Sequence, residues 1–207
     1  MHIAVAGNIG SGKTTLTGML AKHYGWEPMY ESVENNPYLA SFYEDMQRWS
    51  FNLQVYFLNN RFRQVIEIRK KNKTIIQDRT IYEDAYIFAP NLHDMQLMAS
   101  RDFQNYASLF ELMTQFLQPP DLLIYLKADT STLVSQIQKR GRDCENTIRL
   151  DYLQNLNERY NKWIDGYTLG KLLIIDVNTI KFGERLEDFG TVIEKIDAEL
   201  FGLFDQK

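Results

Sequence analysis

The first segment of the chain with recognisable chemistry is a glycine-rich run that begins at Gly7 and ends in Lys13 and Thr14. Its spacing is Gly-x-x-x-x-Gly-Lys-Thr, in which the glycines let backbone N–H groups approach phosphate oxygens closely. A lysine at this position reaches the outer phosphates of a nucleoside triphosphate, and the threonine hydroxyl is a ligand for Mg²⁺. We therefore expect a site for a nucleoside triphosphate and Mg²⁺, formed by Gly7, Asn8, Ile9, Gly10, Ser11, Gly12, Lys13, Thr14 and Thr15.

The segments on either side of this loop support the same interpretation. The apolar run from Ile3 to Ala6 predicts a buried strand, and residues 14–23 predict a helix. The N-terminus of that helix would face the anion, where its dipole favours negative charge.

A second candidate functional site lies at the end of the predicted strand 74–78, where Asp78 and Arg79 follow an apolar run. An acid beside a phosphate loop can help to position Mg²⁺. The adjacent arginine can neutralise charge that develops on a transferred phosphoryl group. A simple ion pair or a helix cap would explain the same two residues, and the residue types alone leave that alternative open.

Glu31 ends another predicted strand, 28–32. A phosphoryl acceptor with a hydroxyl group benefits from a base that takes its proton, and a carboxylate can serve as that base. Capping of the next helix, or contact with solvent, is an equally simple explanation of Glu31.

The connector that starts at Gln136 carries Lys139, Arg140 and Arg142 around a glycine. We expect a mobile lid at about 136–147 that brings Arg140 and Arg142 over the phosphates and excludes water. A solvated helix end is the alternative, because cations suit a helix C-terminus.

The remaining pattern alternates apolar runs with helical periodicity. It predicts strands at 2–7, 28–32, 74–78, 122–127 and 171–176. It predicts helices at 13–23, 36–46, 49–71, 80–89, 94–117, 131–139, 149–165 and 184–201. The runs 122–126 and 172–176 lack alternation, which is expected of strands covered on both faces. We therefore expect an α/β fold with a doubly wound parallel sheet, whose strand C-termini carry the site.

The amino-acid composition limits the classes of protein to which this chain could belong. The 207 residues are 44% hydrophobic and 24% charged, which predicts one globular domain spanning 1–207. The net charge of −4 gives no reason to expect a nucleic-acid partner, and no apolar stretch approaches a membrane span. The single Cys144 excludes a disulfide framework within the chain, and the three histidines lack metal-ligand spacing. With no signal-peptide pattern, we expect a cytoplasmic protein.

Taken in order, several motifs resemble the deoxyribonucleoside kinase family over nearly the whole chain. After the phosphate loop they are Glu31-Ser32-Val33-Glu34, Tyr43, Arg48-Trp49-Ser50-Phe51-Asn52-Leu53-Gln54, Asp78-Arg79-Thr80, Asp84-Ala85-Tyr86-Ile87-Phe88 and Lys139-Arg140-Gly141-Arg142 with Glu145. The resemblance implies a P-loop kinase fold, with a central five-stranded parallel sheet flanked by helices and a short lid.

The resemblance also implies roles for individual residues. Glu31 is similar to the general base that activates the nucleoside 5′-hydroxyl, and Arg79 to the arginine beside that hydroxyl and the phosphates. Asp78 occupies the magnesium-associated acid position. Tyr43 and Glu145 match the pair that holds the sugar 3′-hydroxyl, and Tyr43 would also crowd the 2′ position and favour deoxyribose.

For the base, the resemblance implies that Gln54 pairs with its edge and Phe88 stacks on it, with Arg61 and Asp84 as a charged pair beyond. Gln54 presents one donor and one acceptor, which suits adenine or cytosine and, flipped, guanine. An ionised Asp84 only accepts, so it favours an exocyclic amine over the carbonyl of thymine, and we expect Arg61 to keep it charged. An unpaired group costs about 1–3 kcal/mol. We rank deoxyadenosine first, deoxycytidine or deoxyguanosine next, and thymidine last.

The resemblance extends to the donor site and to assembly. The loop after the last strand, with Asn178 and Ile180, would pack on the donor adenine, although an ordinary strand-to-helix connector is a competing explanation. Helices 49–71 and 94–117 would form a homodimer through a helix bundle. The chain departs from many relatives at Ser32, where they have proline, and at Gln136, where they often have a further arginine. Asp78 is shorter than the commoner glutamate.

Two other functions remain as alternatives. A nucleoside monophosphate kinase shares the phosphate loop and a lid, but it needs a basic site for the acceptor phosphate. The region around Glu31, Tyr43 and Gln54 is acidic or neutral. A non-catalytic nucleotide-binding switch would bind the triphosphate without nucleoside-dependent turnover, and the sequence contains no Asn-Lys-x-Asp guanine-reading motif.

Overall fold

The structure is a computed structural model that describes residues 1–31, 36–142, 145 and 147–202. The strands are β1 (His2–Gly7), β2 (Glu27–Met29), β3 (Ile75–Asp78), β4 (Leu122–Lys127) and β5 (Lys171–Asp176). The helices are α1 (Lys13–Tyr24), α2 (Leu39–Glu44), α3 (Met46–Lys70), α4 (Ile81–Glu83), α5 (Ala89–Asp94), α6 (Ser100–Thr114), α7 (Thr130–Arg140), α8 (Leu150–Asp165) and α9 (Leu186–Phe201). Residues 32–34 of one predicted motif, and residues 143, 144 and 146 of the predicted lid, lie outside the described residues.

The five strands form one parallel sheet in the order β2-β3-β1-β4-β5, flanked by helices, as the sequence predicts. β1 is central, and its Val5 is in register with Asp78 of β3. The C-terminal ends of β1 and β3 are therefore neighbours, which brings the glycine-rich loop next to Asp78. This adjacency is the change of direction in strand order at which open α/β sheets bind ligands.

Alternation along β1 explains why the sheet is covered on both faces. Ile3 and Val5 pack into a cluster with Leu16 of α1, whereas Ala4 and Ala6 belong to the cluster on the opposite face. All five side chains are fully buried. Burial of each large aliphatic side chain stabilises the fold by about 1.5–3 kcal/mol. The strand that carries the loop is thus held rigidly from both sides.

The expectation that strand 171–176 is covered on both faces is wrong. β5 is an edge strand that, within the described residues, pairs with β4 alone, and its residues range from buried to exposed. Ile175 is fully buried against the cluster that includes α9, whereas Ile174 is 44% exposed. An apolar run does not distinguish a central strand from an edge strand, because both are built from the same residue types.

Several predicted helices differ from the structure at their bounds. The long helix predicted at 49–71 begins earlier, because Asp45 caps α3 by accepting a hydrogen bond from the backbone N–H of Arg48. The helix predicted at 94–117 is the shorter α6. The helix predicted at 80–89 is α4 followed by a π-helix, Asp84–Phe88. Short π-helices are rare and occur often at functional sites. Among the described residues, no helix is both long and apolar enough to cross a bilayer.

Candidate active site

The glycine-rich loop folds as a phosphate cradle at the end of β1. Gly12 has a φ of +92° and caps α1 without a side-chain hydrogen bond, so the first-turn N–H groups of α1 have no side-chain cap. A Cβ at Gly12 would lie 3.3 Å from the ring of Phe182, which leaves little space for another residue there. A helix N-terminus of this kind is suited to bind an anion.

Lys13 folds back over this loop. Its Nζ donates hydrogen bonds to the carbonyl oxygens of Gly7 at 2.9 Å and Asn8 at 3.0 Å. Burial, and then the charge of Arg79, lower the pKa of Lys13 to about 8, against the opposing effect of nearby carboxylates. A phosphate group would offer this ammonium a charged acceptor in place of two neutral carbonyls.

Thr14 and Asp78 meet, as the sequence predicts. The Thr14 hydroxyl donates a 2.6 Å hydrogen bond to Oδ2 of Asp78, while Oδ1 of Asp78 is buried and has no hydrogen-bond partner. A hydroxyl and a carboxylate with a spare oxygen are hard oxygen ligands of the kind that Mg²⁺ prefers. The two residues therefore fit a magnesium ion that would take its other ligands from phosphates and water.

Glu31 lies between two arginines. Its Oε1 accepts a 2.6 Å hydrogen bond from Nη2 of Arg61, and Nε of Arg79 lies 3.1 Å from the same oxygen. The Arg79 contact lacks hydrogen-bond alignment and is an ion pair. Burial acts to raise the pKa of Glu31, but the charges of Arg79, Arg61 and Lys13 together lower it to about 2. Glu31 is therefore an ionised carboxylate at neutral pH, and it faces the cavity.

A cavity of about 950 Å³ joins the phosphate loop to the predicted acceptor residues. This volume is at the upper end of the range for small-molecule sites. The predicted site residues that line it are Ile9, Gly10, Ser11, Gly12, Lys13, Thr14, Thr15, Glu31, Tyr43, Gln54, Arg79, Asp84, Phe88, Arg140, Arg142, Glu145 and Ile180. Five other predicted site residues lie behind this lining: Gly7, Asn8, Arg61, Asp78 and Asn178. They contact lining residues or support the loops beside the cavity.

Gln54, Asp84 and Phe88, the residues predicted to read the base, all line this cavity. The buried Gln54 leaves its Oε1 without a hydrogen bond, so it offers an acceptor to a ligand. The Arg79 guanidinium lies over the ring of Phe88 at 4.4 Å, which connects the predicted stacking residue to the reaction centre.

Two opposing effects set the charge state of Asp84. Its Oδ2 lies 3.2 Å from Nε of Arg61, as the resemblance implies. Burial raises the pKa of Asp84 to about 7, whereas the charges of Arg61 and Arg79 favour the ionised form. Arg61 also donates to Glu31 and to the backbone carbonyl of Asp78.

The predicted lid begins at the end of α7, where Gly141 ends the helix in a left-handed conformation. The side chains of Arg140 and Arg142 both contact the carboxylate of Glu145, which is 6% exposed. The two lid arginines therefore bind the residue that the resemblance assigns to the sugar. Phosphates and a sugar hydroxyl would compete for these same groups.

The loop after β5 contacts the same cavity through Ile180 and Phe182. The Asn178 side chain has a structural contact instead: its Oδ1 accepts hydrogen bonds from the backbone N–H of Asp129 and the hydroxyl of Thr132 at the start of α7. Part of this loop thus belongs to the site, and Asn178 supports it.

Sequence reasoning missed the contacts by which Asn8 and Glu83 support the site. Asn8 ties the phosphate loop to α8, because its side-chain amide donates to the carbonyl of Leu153 and to Asn157. Glu83 is fully buried and accepts a hydrogen bond from the backbone N–H of Gly7. The Thr80-x-x-Glu83 spacing of a capping box was a sequence signal for Glu83. No signal pointed to its contact with the phosphate loop.

Comparison with known proteins agrees with this geometry. Residues 3–201 match the family model described as deoxynucleoside kinase. The chain is 44% identical over 199 residues to the deoxyadenosine/deoxycytidine kinase of Bacillus subtilis. The aligned region covers 95% of this chain and 88% of that protein. It is 36% identical to the deoxyguanosine kinase of Lactobacillus johnsonii, over 96% of this chain and 92% of that protein. A solved deoxyadenosine kinase from M. mycoides with bound dATP superimposes with a TM-score of 0.85 at 28% identity, over 95% of this chain and 99% of that chain. The chain belongs to the deoxynucleoside kinase family.

Proposed function

We propose that this enzyme transfers the γ-phosphoryl group of ATP to the 5′-hydroxyl of a deoxyribonucleoside, with deoxyadenosine preferred. Deoxycytidine and deoxyguanosine follow in preference, and thymidine comes last. The observation that carries the proposal is Glu31, an ionised carboxylate that faces a cavity between the phosphate loop and a base-reading amide. Two arginines hold it at that place.

In this mechanism Glu31 accepts a hydrogen bond from the 5′-hydroxyl and orients its oxygen for in-line attack. Its pKa of about 2 makes it a weak base, so it takes the proton only as the bond to phosphorus forms. Arg79 faces the charge that develops on the transferred group, and Lys13 binds the outer phosphates. Catalysis is therefore mainly positioning and electrostatic stabilisation.

Thr14 and Asp78 would hold Mg²⁺, which when bound neutralises charge on the triphosphate. The unpaired Oδ1 of Asp78 supports this assignment. Arg140 and Arg142 would leave Glu145 for the phosphates, and Glu145 would then bind the sugar 3′-hydroxyl beside Tyr43. Ile180 and the residues after it would contact the donor base.

The base preference rests on Gln54 and Asp84. Gln54 Oε1 is free to accept from the exocyclic amine of adenine or cytosine, while its amide nitrogen donates to the neighbouring ring nitrogen. Thymine presents a carbonyl where these bases have the amine. An ionised Asp84 disfavours that carbonyl, because it offers no proton.

A monophosphate kinase is the second candidate function, and the charges near the acceptor argue against it. Such an enzyme needs cations for the acceptor phosphate. Here Arg61 is paired with both Glu31 and Asp84, and Arg79 is paired with Glu31. A nucleotide-binding switch without transfer chemistry would not need an ionised carboxylate beside its phosphate loop.

An exposed apolar surface supports the further proposal of a homodimer. Leu109 and Leu112 of α6, Phe116, which follows α6, and Ile66 of α3 are all exposed, and Ile66 lies one helical turn after Phe62. Phe116 packs against Phe62 of α3, so these residues share one face of the two helices. A contiguous apolar patch on a globular protein marks an interaction surface. A single domain over 1–207 and a cytoplasmic location stay predictions.

The test is to measure ADP release from MgATP with each deoxynucleoside, ribonucleoside and deoxynucleoside monophosphate offered singly. We expect turnover to be highest with deoxyadenosine, and weak with adenosine and thymidine. Turnover with thymidine alone would contradict the role of Asp84, whereas turnover only with monophosphates would establish the second candidate. ATP binding without any acceptor-dependent turnover would indicate a switch.

A further inference from the structure

One buried carboxylate outside the cavity lining accepts hydrogen bonds from three separate parts of the site. Oε1 of Glu83 accepts from the backbone N–H of Gly7 at 3.2 Å and from the hydroxyl of Tyr160 at 2.8 Å. Oε2 accepts from the backbone N–H of Thr80 at 2.7 Å and from its hydroxyl at 3.2 Å. The Thr80 contacts are those of a helix cap. Contacts with the phosphate loop and with α8 go beyond what capping a helix requires.

These contacts surround Arg79. Its backbone φ is +70°, a left-handed conformation that a non-glycine residue adopts only when neighbouring structure imposes it. Glu83 fixes the residue that follows, since it binds both donors of Thr80. The side chain is fixed too, because Nη1 of Arg79 donates to the hydroxyl of Tyr160 at 3.3 Å, and that hydroxyl donates to Glu83.

We propose that Glu83 is a positioning residue of the phosphoryl transfer, which holds Arg79 and the first residue of the phosphate loop in one fixed geometry. The proposal rests on the function proposed above. Glu83 does not line the cavity and touches no substrate, so it acts through Arg79 and Gly7. Catalytic groups need such support, because a misplaced group loses much of its effect on the transition state.

The chemistry of the four contacts explains why a carboxylate occupies this position. All four partners donate, and an ionised carboxylate is an acceptor at both oxygens. An amide would turn an NH₂ group toward a backbone N–H on one side or the other. Glu83→Gln therefore breaks one contact while it keeps the size of the side chain. Tyr160→Phe removes the hydroxyl that donates to Glu83 and accepts from Arg79, and it leaves the contacts of Glu83 with Gly7 and Thr80 in place.

The kinetic test compares these two variants with Tyr82→Phe, a matched control whose residue neighbours Glu83 in α4 and packs its ring against Tyr86 and Phe110. We expect Glu83→Gln and Tyr160→Phe to lower kcat about tenfold to a hundredfold. KM for the nucleoside and for ATP should change little, and the control should match the parent. A rise in KM with unchanged kcat in both variants would overturn the proposal.

A double-mutant cycle separates positioning from general loss of structure. If Glu83 acts partly through Arg79, adding Glu83→Gln to Arg79→Lys should lower kcat by clearly less than the same change does in the parent, and the remaining loss would reflect the contact with Gly7. The full loss in the Arg79→Lys background would contradict action through Arg79. Circular dichroism and thermal unfolding show whether Glu83→Gln folds. If it does not fold, the same double-mutant cycle is measured with Tyr160→Phe in place of Glu83→Gln.

A readout that needs no catalysis keeps the proposal distinct from the proposed function. In protein labelled with ¹⁵N-arginine, the Arg79 side-chain Nε–H signal should be sharp and should exchange slowly in the parent. It should broaden or shift in Glu83→Gln and Tyr160→Phe but not in Tyr82→Phe. An unchanged signal in both variants would overturn the positioning role. A parent protein without nucleoside-dependent transfer would contradict only the proposed function.

Discussion

Nη2 of Arg61 lies 2.6 Å from Oε1 of Glu31, while Nε of the same guanidinium lies 3.2 Å from Asp84. One buried cation therefore connects the proposed general base to the carboxylate proposed to read the nucleobase. It depresses the pKa of Glu31, and it opposes the burial that raises the pKa of Asp84. The two acids thus have different charge behaviour near neutral pH although they share a partner.

The variant Glu31→Gln tests whether Glu31 is the general base. The amide cannot take the proton of the 5′-hydroxyl, so we expect kcat to fall by about 10²–10⁴-fold, with little change in the nucleoside Kd measured by calorimetry. A control is Glu27→Gln in β2, which removes a solvent-accessible ion pair with Lys71 and should leave kcat unchanged, because Glu27 does not line the cavity. Full activity of Glu31→Gln would exclude the assignment.

The pH dependence of substrate binding tests Asp84. Because its pKa is raised to about 7, Asp84 is protonated below that pH and ionised above it. The ionised form accepts from an exocyclic amine, so kcat/KM for deoxyadenosine relative to thymidine should rise between about pH 6 and about pH 8. Asp84→Asn should remove this rise. The same rise in the variant would show that another group is responsible.

Magnesium titrations test the pair formed by Thr14 and Asp78. Asp78→Asn removes the negative charge of the candidate ligand, so the Mg²⁺ concentration for half-maximal ADP release should increase about tenfold or more. Asp78→Glu keeps the carboxylate and should retain most of the parent's affinity for the metal. An unchanged Mg²⁺ requirement in Asp78→Asn would place the metal elsewhere.

Sedimentation velocity tests the dimer. Leu112 is 60% exposed on the apolar face of α6, and Leu112→Glu places a charge at the centre of the proposed interface. We expect the parent to sediment as a dimer and the variant as a monomer. Leu186→Glu, at the exposed start of α9, is the matched control and should remain dimeric. A monomeric parent would contradict the proposal directly.

The sequence allowed the fold and the meeting of Thr14 with Asp78 to be predicted, because both depend on local patterns. The phosphate loop has a fixed spacing, and strands that end in Asp78 or near Glu31 place those acids at one sheet edge. The exposure of Ile174 could not be predicted, since an edge strand and a central strand can share the same apolar residues. Hydrophobic periodicity likewise does not distinguish the π-helix from an α-helix.

The charge state of Asp84 and the contacts of Glu83 also could not be predicted. Both depend on groups far apart in the sequence: Glu83 contacts Gly7 and Tyr160, which lie 76 and 77 positions away. The pKa of Asp84 depends on how deeply the fold buries it, which a motif does not encode. Long-range polar networks are therefore the part of this site that only the structure reveals.

The most direct test of the account follows the position of the transferred phosphoryl group. The enzyme would be given Mg²⁺ and ATP labelled at the γ-phosphate, with either deoxyadenosine or 2′,5′-dideoxyadenosine, which lacks the 5′-hydroxyl. The account predicts labelled deoxyadenosine 5′-monophosphate from the first nucleoside and no labelled nucleotide product from the second. Transfer to the dideoxynucleoside, or no transfer to any deoxynucleoside, would contradict it.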